Sequence, residues 1–176
     1  MRPFSLNFIV GPRQVGKTTA VALLIKRLLE SGVDPRSIFY FSCDRLADYR
    51  GLDEVLRDYL RIRSGIGIST SYVFLDEVTY PREWYGAIKG LIESGVFRSG
   101  VLVLTGSLSM SAKREIEVFP GEGVMVRTYS CFRYPFPNTL GYSTSTYQVV
   151  TWTSYYLTFR DTSSICPYSM SYLIST

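Results

Sequence analysis

The chain of 176 residues contains no histidine and only three cysteines. Catalysis by histidine and the usual zinc sites are therefore excluded. Cys43, Cys131 and Cys166 are odd in number and widely spaced, which argues against a disulfide framework. No apolar run approaches the ~20 residues that a membrane span needs, and no charged-then-apolar leader opens the chain. The sequence thus predicts a cytoplasmic protein with no membrane segment.

The charge of the chain is mild and gives no indication of a polyanionic partner such as a nucleic acid. The formal net charge is +4, and the arginines are spread along the chain. No basic block alternates with aromatic residues, as a nucleic-acid groove would require, so nucleic-acid binding is not evident. The guanine-reading motif Asn-Lys-x-Asp is also missing.

The most informative segment that is present is Gly-Pro-Arg-Gln-Val-Gly-Lys-Thr at residues 11–18. It fits the phosphate-binding loop pattern G-x-x-x-x-G-K-[ST] at every fixed position. The glycines allow a tight backbone curl whose N–H groups form a nest for an anion. The lysine places a charge against the β- and γ-phosphates, and the threonine hydroxyl is a Mg²⁺ ligand. The predicted nucleotide-binding residues are Gly11, Pro12, Arg13, Gln14, Val15, Gly16, Lys17, Thr18 and Thr19, with Lys17 also catalytic.

The flanks of this loop support the motif. An apolar, β-prone run at residues 4–10 precedes it and indicates a buried strand. Apolar residues at helical spacing follow it from Ala20 to Leu29, and Gly32 suits the end of that helix. Strand, loop and helix in this order are the context that a phosphate-binding loop needs, because the helix N-terminus adds its N–H groups and dipole to the anion site.

A second apolar strand, residues 72–75, ends in two carboxylates, Asp76 and Glu77. This is the form of a Walker B strand. Open α/β sheets bind ligands at the carboxyl ends of their strands, where these acids fall. We expect Asp76 to hold Mg²⁺, together with Thr18, and Glu77 to orient and deprotonate the attacking water. A strand followed by an ordinary acidic loop is the alternative.

A third strand, residues 101–105, ends in hydroxyl side chains. Thr105 and Ser107 are candidates for a sensor that contacts the attacking water or the γ-phosphate, and Thr105 is preferred as a catalytic residue. The alternative is that Ser107 caps the following helix. For Asp44, which follows the second strand, we expect a helix cap, and the alternative is that it faces the nucleotide across the sheet edge. Trp84 is expected to pack its helix onto the sheet, and stacking on adenine is the alternative.

Strands and helices alternate through the first 120 residues. We predict strands at 4–10, 37–42, 72–75 and 101–105, with helices at 17–31, through Leu52 to Leu60, and after Pro81. Such alternation predicts an α/β fold with a parallel sheet between two helical layers. With the phosphate-binding loop it predicts a three-layer P-loop NTPase, and the sensor candidates favour the additional-strand ATPase type.

A resemblance to a known family rests on three segments and two single residues. They are 11–19, 74–78 (Phe-Leu-Asp-Glu-Val), 104–107 (Leu-Thr-Gly-Ser), Trp84 and Gly95. In order and spacing they resemble prokaryotic AAA-type ATPases whose P-loop domain is followed by a winged-helix segment and a nuclease-like domain. The resemblance covers about the first 120 residues. It implies ATP hydrolysis with Mg²⁺, the strand order 5-1-4-3-2 and a homo-oligomer in the intact family member. A chain of this length has room for the P-loop domain but not for the two further domains.

The resemblance breaks after Gly121. Ser, Thr and Tyr make up about half of the residues from Thr128 onward, and Asp161 is the only acid beyond Glu122. Such ATPases continue with a Gly-Arg-Arg-Gly segment and a strand, which do not follow here. We interpret the change as a frameshift or truncation, with a genuine Tyr- and Ser-rich extension as the alternative. The sequence therefore predicts a P-loop domain at 1–120 without its fifth strand, an exposed edge at the first strand, and an irregular tail at 121–176.

Three functions follow as hypotheses. The first is Mg²⁺-dependent ATP hydrolysis by an AAA-type domain. The second is a small-molecule kinase, which would need an arginine-rich lid and an acceptor pocket that the sequence does not show. The third is a nucleotide-binding remnant without catalysis, which the altered tail favours.

Overall fold

The computed structural model describes residues 5–95, 100–107, 125–134, 146–151 and 156–160. Within these ranges the strands are β1 Ser5–Gly11, β2 Ile38–Ser42, β3 Ser71–Asp76, β4 Gly100–Ser107, β5 Met125–Tyr134, β6 Thr146–Thr151 and β7 Tyr156–Arg160. The helices are α1 Lys17–Glu30, α2 Tyr49–Gly65 and α3 Trp84–Glu93. Every helix in the described ranges is too short or too polar to cross a membrane.

The first five strands form a parallel sheet in the order β5-β1-β4-β3-β2. The strands β6 and β7 extend it antiparallel beyond β5. This confirms the predicted α/β class and the strand order that the resemblance implied. Parallel strands need long crossovers, and the three helices supply them between β1, β2, β3 and β4.

The expected loss of the fifth strand is wrong. β5 pairs in parallel with β1 from Ser5 opposite Met125 to Val10 opposite Ser130. The phosphate-loop strand therefore has a partner on each side and is not an edge. Strand pairing uses backbone N–H and C=O groups, so a segment with an unexpected side-chain composition can still supply it. The tail expected to be irregular thus contributes β5, β6 and β7, and the rest of 121–176 lies outside the described residues.

Both faces of the sheet are covered, which gives the three layers. α1 packs on one face, where a buried cluster joins it to the central strands. Its members are Ile9, Val15, Val21, Leu24, Leu28, Phe74, Val103 and Tyr129. α2 and α3 pack on the other face over a larger cluster that includes Leu6, Phe8, Leu52, Leu56, Val73, Trp84, Ile88 and Leu104. The central strands β1, β3 and β4 are largely apolar on both faces because both faces are buried there.

Trp84 lies in the larger cluster, as predicted. It is buried, and its ring meets Phe8 edge-on with 6.0 Å between the ring centroids. The contact joins the first turn of α3 to the centre of β1. Trp84 therefore anchors α3 to the strand that leads into the phosphate-binding loop.

The helix ends follow local sequence signals, with one correction. α1 ends at a left-handed Gly32 (φ 84°), where the Val33 N–H donates to the Leu28 carbonyl. α2 is capped by Asp48, whose carboxylate accepts from the Arg50 N–H at 3.0 Å. The expectation that Asp44 caps this helix is wrong, since Asp44 lies in a separate 3-10 turn, Cys43–Arg45, and accepts from the Ser42 hydroxyl.

Candidate nucleotide site

The loop between β1 and α1 has the backbone that its glycine pattern predicts. β1 ends at Gly11, and α1 starts at Lys17 directly after Gly16, which has φ 90°. Gln14 also adopts a positive φ, 63°, a conformation that a side chain makes costly. Curled backbone of this kind turns successive N–H groups toward one point, next to a helix N-terminus. The loop is therefore built to receive an anion.

Lys17 lies across this loop. Its side chain is buried, and Nζ donates to the carbonyls of Gly11 at 3.2 Å and Pro12 at 3.0 Å. The Glu77 carboxylate lies 3.7 Å from the same Nζ. An ammonium has three donors and is compact, so these three oxygens fix its position between the loop and the end of β3. The structure thus brings together the two predicted elements of the site.

Asp76 is the best-connected acid in the site. It is buried at the end of β3 and accepts hydrogen bonds from three hydroxyl groups. The Thr18 hydroxyl donates to Oδ2 at 2.8 Å, the Tyr40 hydroxyl donates to Oδ2 at 3.2 Å, and the Thr105 hydroxyl donates to Oδ1. A buried carboxylate is costly unless its oxygens are hydrogen-bonded. Here each oxygen has at least one donor.

Glu77 differs from its neighbour in both backbone and exposure. It has φ 53°, and its N–H donates to the Thr105 hydroxyl oxygen at 3.0 Å. The next N–H, of Val78, donates to the Thr105 carbonyl at 2.8 Å. The Glu77 side chain is 33% exposed. Its backbone is thus fixed to β4 while its carboxylate is partly exposed to solvent.

Thr105 lies between the two acids. Its hydroxyl donates its proton to Asp76, accepts from the Glu77 N–H, and is 1% exposed. A hydroxyl has one proton to give. The sensor hypothesis placed this group against water or the γ-phosphate, whereas the geometry directs it to the protein's own acids. Ser107 meets the same turn through its N–H, which donates to Thr79 Oγ1 at 3.3 Å.

Tyr40 belongs to the site and was not identified from the sequence. Its place in the run Ile-Phe-Tyr-Phe-Ser was attributed to an apolar strand. Burial raises the pKa of the Tyr40 hydroxyl to about 12, and the negative charge of Asp76 and its hydrogen bond act in the same direction. The phenol therefore remains a donor at neutral pH. The position of Tyr40 two residues before Ser42 indicates which face of β2 it shares, but not how β2 pairs with β3.

Cys43 has a structural role. It is fully buried at the end of β2. Burial raises the pKa of its thiol to about 12, with smaller effects in the same direction from Asp76 and Asp44. A protonated, buried thiol packs as a small apolar side chain and is a poor nucleophile.

The donor set fits Mg²⁺. The Thr18 hydroxyl and the Asp76 carboxylate lie 2.8 Å apart, oxygen to oxygen, at the start of α1. Hydroxyl and carboxylate oxygens are the ligands that this hard cation prefers. Thr18 is exposed, so the pair can be reached from the loop.

The parallel sheet, the glycine-bent loop and the two acids after β3 define a P-loop nucleotide-binding domain of the α/β class. Residues 4–133 match the AAA domain family, so the chain belongs to that family. The match extends through most of β5, beyond the predicted break at residue 121.

Solved structures share the fold. The KaiC-like protein PH0186 from Pyrococcus horikoshii OT3 is similar at 13% identity and a TM-score of 0.52, covering 88% of this chain and 84% of that one. The cytoplasmic domain of the Thermomonospora curvata Type VII secretion ATPase EccC is similar at 10% identity and a TM-score of 0.50. That match covers 90% of this chain but only 23% of the EccC chain. No curated protein matches the chain.

Proposed function

We propose that this domain binds ATP with Mg²⁺ and hydrolyses it. The observation that carries the proposal is the position of Lys17, which touches both the phosphate-binding loop and Glu77. Membership of the AAA domain family and the ATPase fold of the similar structures support nucleotide binding in general. Hydrolysis, and the role of each residue in it, are what we propose beyond nucleotide binding.

The loop and Lys17 bind the triphosphate. The backbone N–H groups of residues 13–19 surround the β-phosphate, and the positive end of α1 favours its charge. Lys17 neutralises charge on the β- and γ-phosphates. Thr18 and Asp76 would hold Mg²⁺, which when bound neutralises phosphate charge and orients the γ-phosphate.

Glu77 acts as the general base. A water oxygen attacks the γ-phosphorus while the bond between that phosphorus and the β,γ-bridging oxygen breaks. The proton of the water moves to the Glu77 carboxylate, and ADP carries the freed electron pair away. The partial exposure of Glu77 and its fixed backbone support this role. A positioned base contributes roughly 10²–10⁴-fold to the rate.

The experiment is a calorimetric titration with ATP and Mg²⁺ followed by an assay of released phosphate. Lys17→Ala should abolish binding, whereas the control Lys26→Ala, an exposed lysine on α1 paired with Glu30, should not. Glu77→Gln should keep binding and lose turnover by about 10²-fold or more. Equal nucleotide affinity in the wild type and Lys17→Ala would reject the site.

The nucleotide-binding remnant gives a different result. It predicts ATP binding by the wild type with no Mg²⁺-dependent release of phosphate at high protein concentration. Its support is the departure of the tail from the composition of the resembled ATPases. The phosphate assay on the wild type therefore separates the two functions directly.

A further inference from the structure

We propose that Tyr40 is a positioning residue for Asp76, and that its hydroxyl sets the affinity of the site for the divalent cation. The inference rests on the proposed function, because Asp76 is there a ligand of the metal. It goes beyond that function by assigning to β2, at the edge of the sheet, a role in the site.

The register of the sheet brings Tyr40 to Asp76. Ser42 lies opposite Asp76, and Tyr40 lies opposite Phe74, two residues earlier on the same strand pair. Alternate residues of a strand share a face, so Tyr40 and Asp76 project to the same side. The long phenol spans the two-residue offset and places its hydroxyl 3.2 Å from Oδ2. A phenylalanine would follow the same path and stop short of the oxygen.

The hydroxyl adds a restraint that the other donors do not give. Thr18 also donates to Oδ2, but Thr18 is itself a proposed metal ligand. A hydrogen bond between Thr18 and Asp76, the two proposed metal ligands, does not restrain Asp76 independently of the metal. Thr105 holds Oδ1 from β4, and Tyr40 holds Oδ2 from β2. These two donors, on strands either side of β3, fix the rotation of the carboxylate plane independently of Thr18.

Packing alone does not account for a tyrosine at this position. Tyr40 is 45% exposed, so packing covers only about half of its side chain. An exposed edge strand offers many positions at which a ring is tolerated without a polar partner. The polar contact with a buried carboxylate is the distinguishing feature. Partners that orient metal ligands commonly change metal affinity when they are removed.

The test compares Tyr40→Phe with Tyr80→Phe, which removes a hydroxyl from a tyrosine that is 60% exposed beyond Glu77. Mn²⁺ is titrated into each protein with a fixed concentration of ADP, and free Mn²⁺ is followed by electron paramagnetic resonance. We expect Tyr40→Phe to weaken Mn²⁺ binding by about 10–100-fold and Tyr80→Phe to leave it unchanged. ADP affinity without metal should be equal in all three proteins.

Tyr40→Leu separates the hydroxyl from the ring. Equal losses of Mn²⁺ affinity in Tyr40→Phe and Tyr40→Leu, with melting curves that show folded protein, would support the assignment to the hydroxyl. A loss in Tyr40→Leu alone would assign the effect to ring packing and overturn the proposal. Wild-type affinity in Tyr40→Phe would also overturn it while leaving the proposed function intact. A wild type that binds neither ADP nor Mn²⁺ would overturn both.

Discussion

Replacing Thr105 by valine tests how the two acids are held. Valine has nearly the shape of threonine, so the substitution removes a hydroxyl and leaves the packing in place. In the wild type that hydroxyl donates to Asp76 Oδ1 and accepts from the Glu77 N–H, and it is 1% exposed. The variant therefore takes one donor from a buried carboxylate and leaves one backbone N–H without its partner.

The expected cost follows from these two bonds. A hydrogen bond to a charged group contributes about 1.5–3 kcal/mol, and an unpaired buried N–H costs about 1–3 kcal/mol. Thr18 and Tyr40 still donate to Asp76 Oδ2, which limits the total. We expect the free energy of unfolding to fall by about 2–4 kcal/mol. For a protein of this size, that lowers Tm by about 5–15 °C.

The measurement is urea denaturation followed by far-UV circular dichroism. Thr19→Val, at an exposed position of α1, is the control for loss of a threonine hydroxyl. A Thr105→Val midpoint that lies within about 0.5 kcal/mol of the wild type, the usual range for surface substitutions, would refute the reasoning. If such a stable variant also lost turnover, the hydroxyl would have the sensor role that the sequence suggested.

Three further predictions concern the core and the pH response. Trp84→Ala should cost about 3–5 kcal/mol of unfolding free energy in urea, because it empties the contact with Phe8. Gly106→Ala should cost about 1–3 kcal/mol, since its Cβ would lie 2.5 Å from Thr79 Cγ2; adding Thr79→Ala should recover part of that loss. In the folded protein, burial raises the pKa of the Cys43 thiol to about 12, whereas in the unfolded chain its pKa is near 9.0. Above pH 9 this thiol should therefore lower stability by up to about 1.4 kcal/mol per pH unit, and Tyr40 should add to the fall above pH 10. Cys43→Ala should remove the contribution of the thiol in denaturation measured from pH 8 to pH 11.

The core of the domain follows from sequence pattern with small errors at the ends. The strand predicted at 4–10 is Ser5–Gly11, and the helix predicted at 17–31 is Lys17–Glu30. Both elements can be predicted because their signals lie within the segment itself: regularly spaced apolar residues, and glycines at the ends. The motifs predict the positions of Lys17, Thr18, Asp76 and Glu77, because each motif fixes both a residue type and its position at a strand end.

The contacts that complete the site are not local. Tyr40 reaches Asp76 only because β2 pairs with β3 in a particular register, and no pattern within β2 specifies that register. The bond between Thr105 and the Glu77 N–H likewise depends on a left-handed turn at a glutamate, which sequence propensity disfavours.

The fifth strand was missed for another reason. Its sequence, Met-Val-Arg-Thr-Tyr-Ser-Cys-Phe-Arg-Tyr, is rich in β-branched and aromatic residues and predicts a strand by composition. The resembled ATPases have a different sequence at this point, and the expected loss of the strand followed from that difference. The proposed frameshift concerns the origin of the segment and stays a prediction, which the coding DNA would test.

The enclosure of β1 between β4 and β5 links ligand binding to global unfolding. All seven residues of β1 are buried, and its N–H groups pair within the interior of the sheet. Amide protons in such a strand exchange with solvent only when the whole domain opens, whereas those of an edge strand exchange by smaller fluctuations. Since the phosphate-binding loop follows directly after this buried strand, we expect its shape to persist until the domain unfolds as a unit.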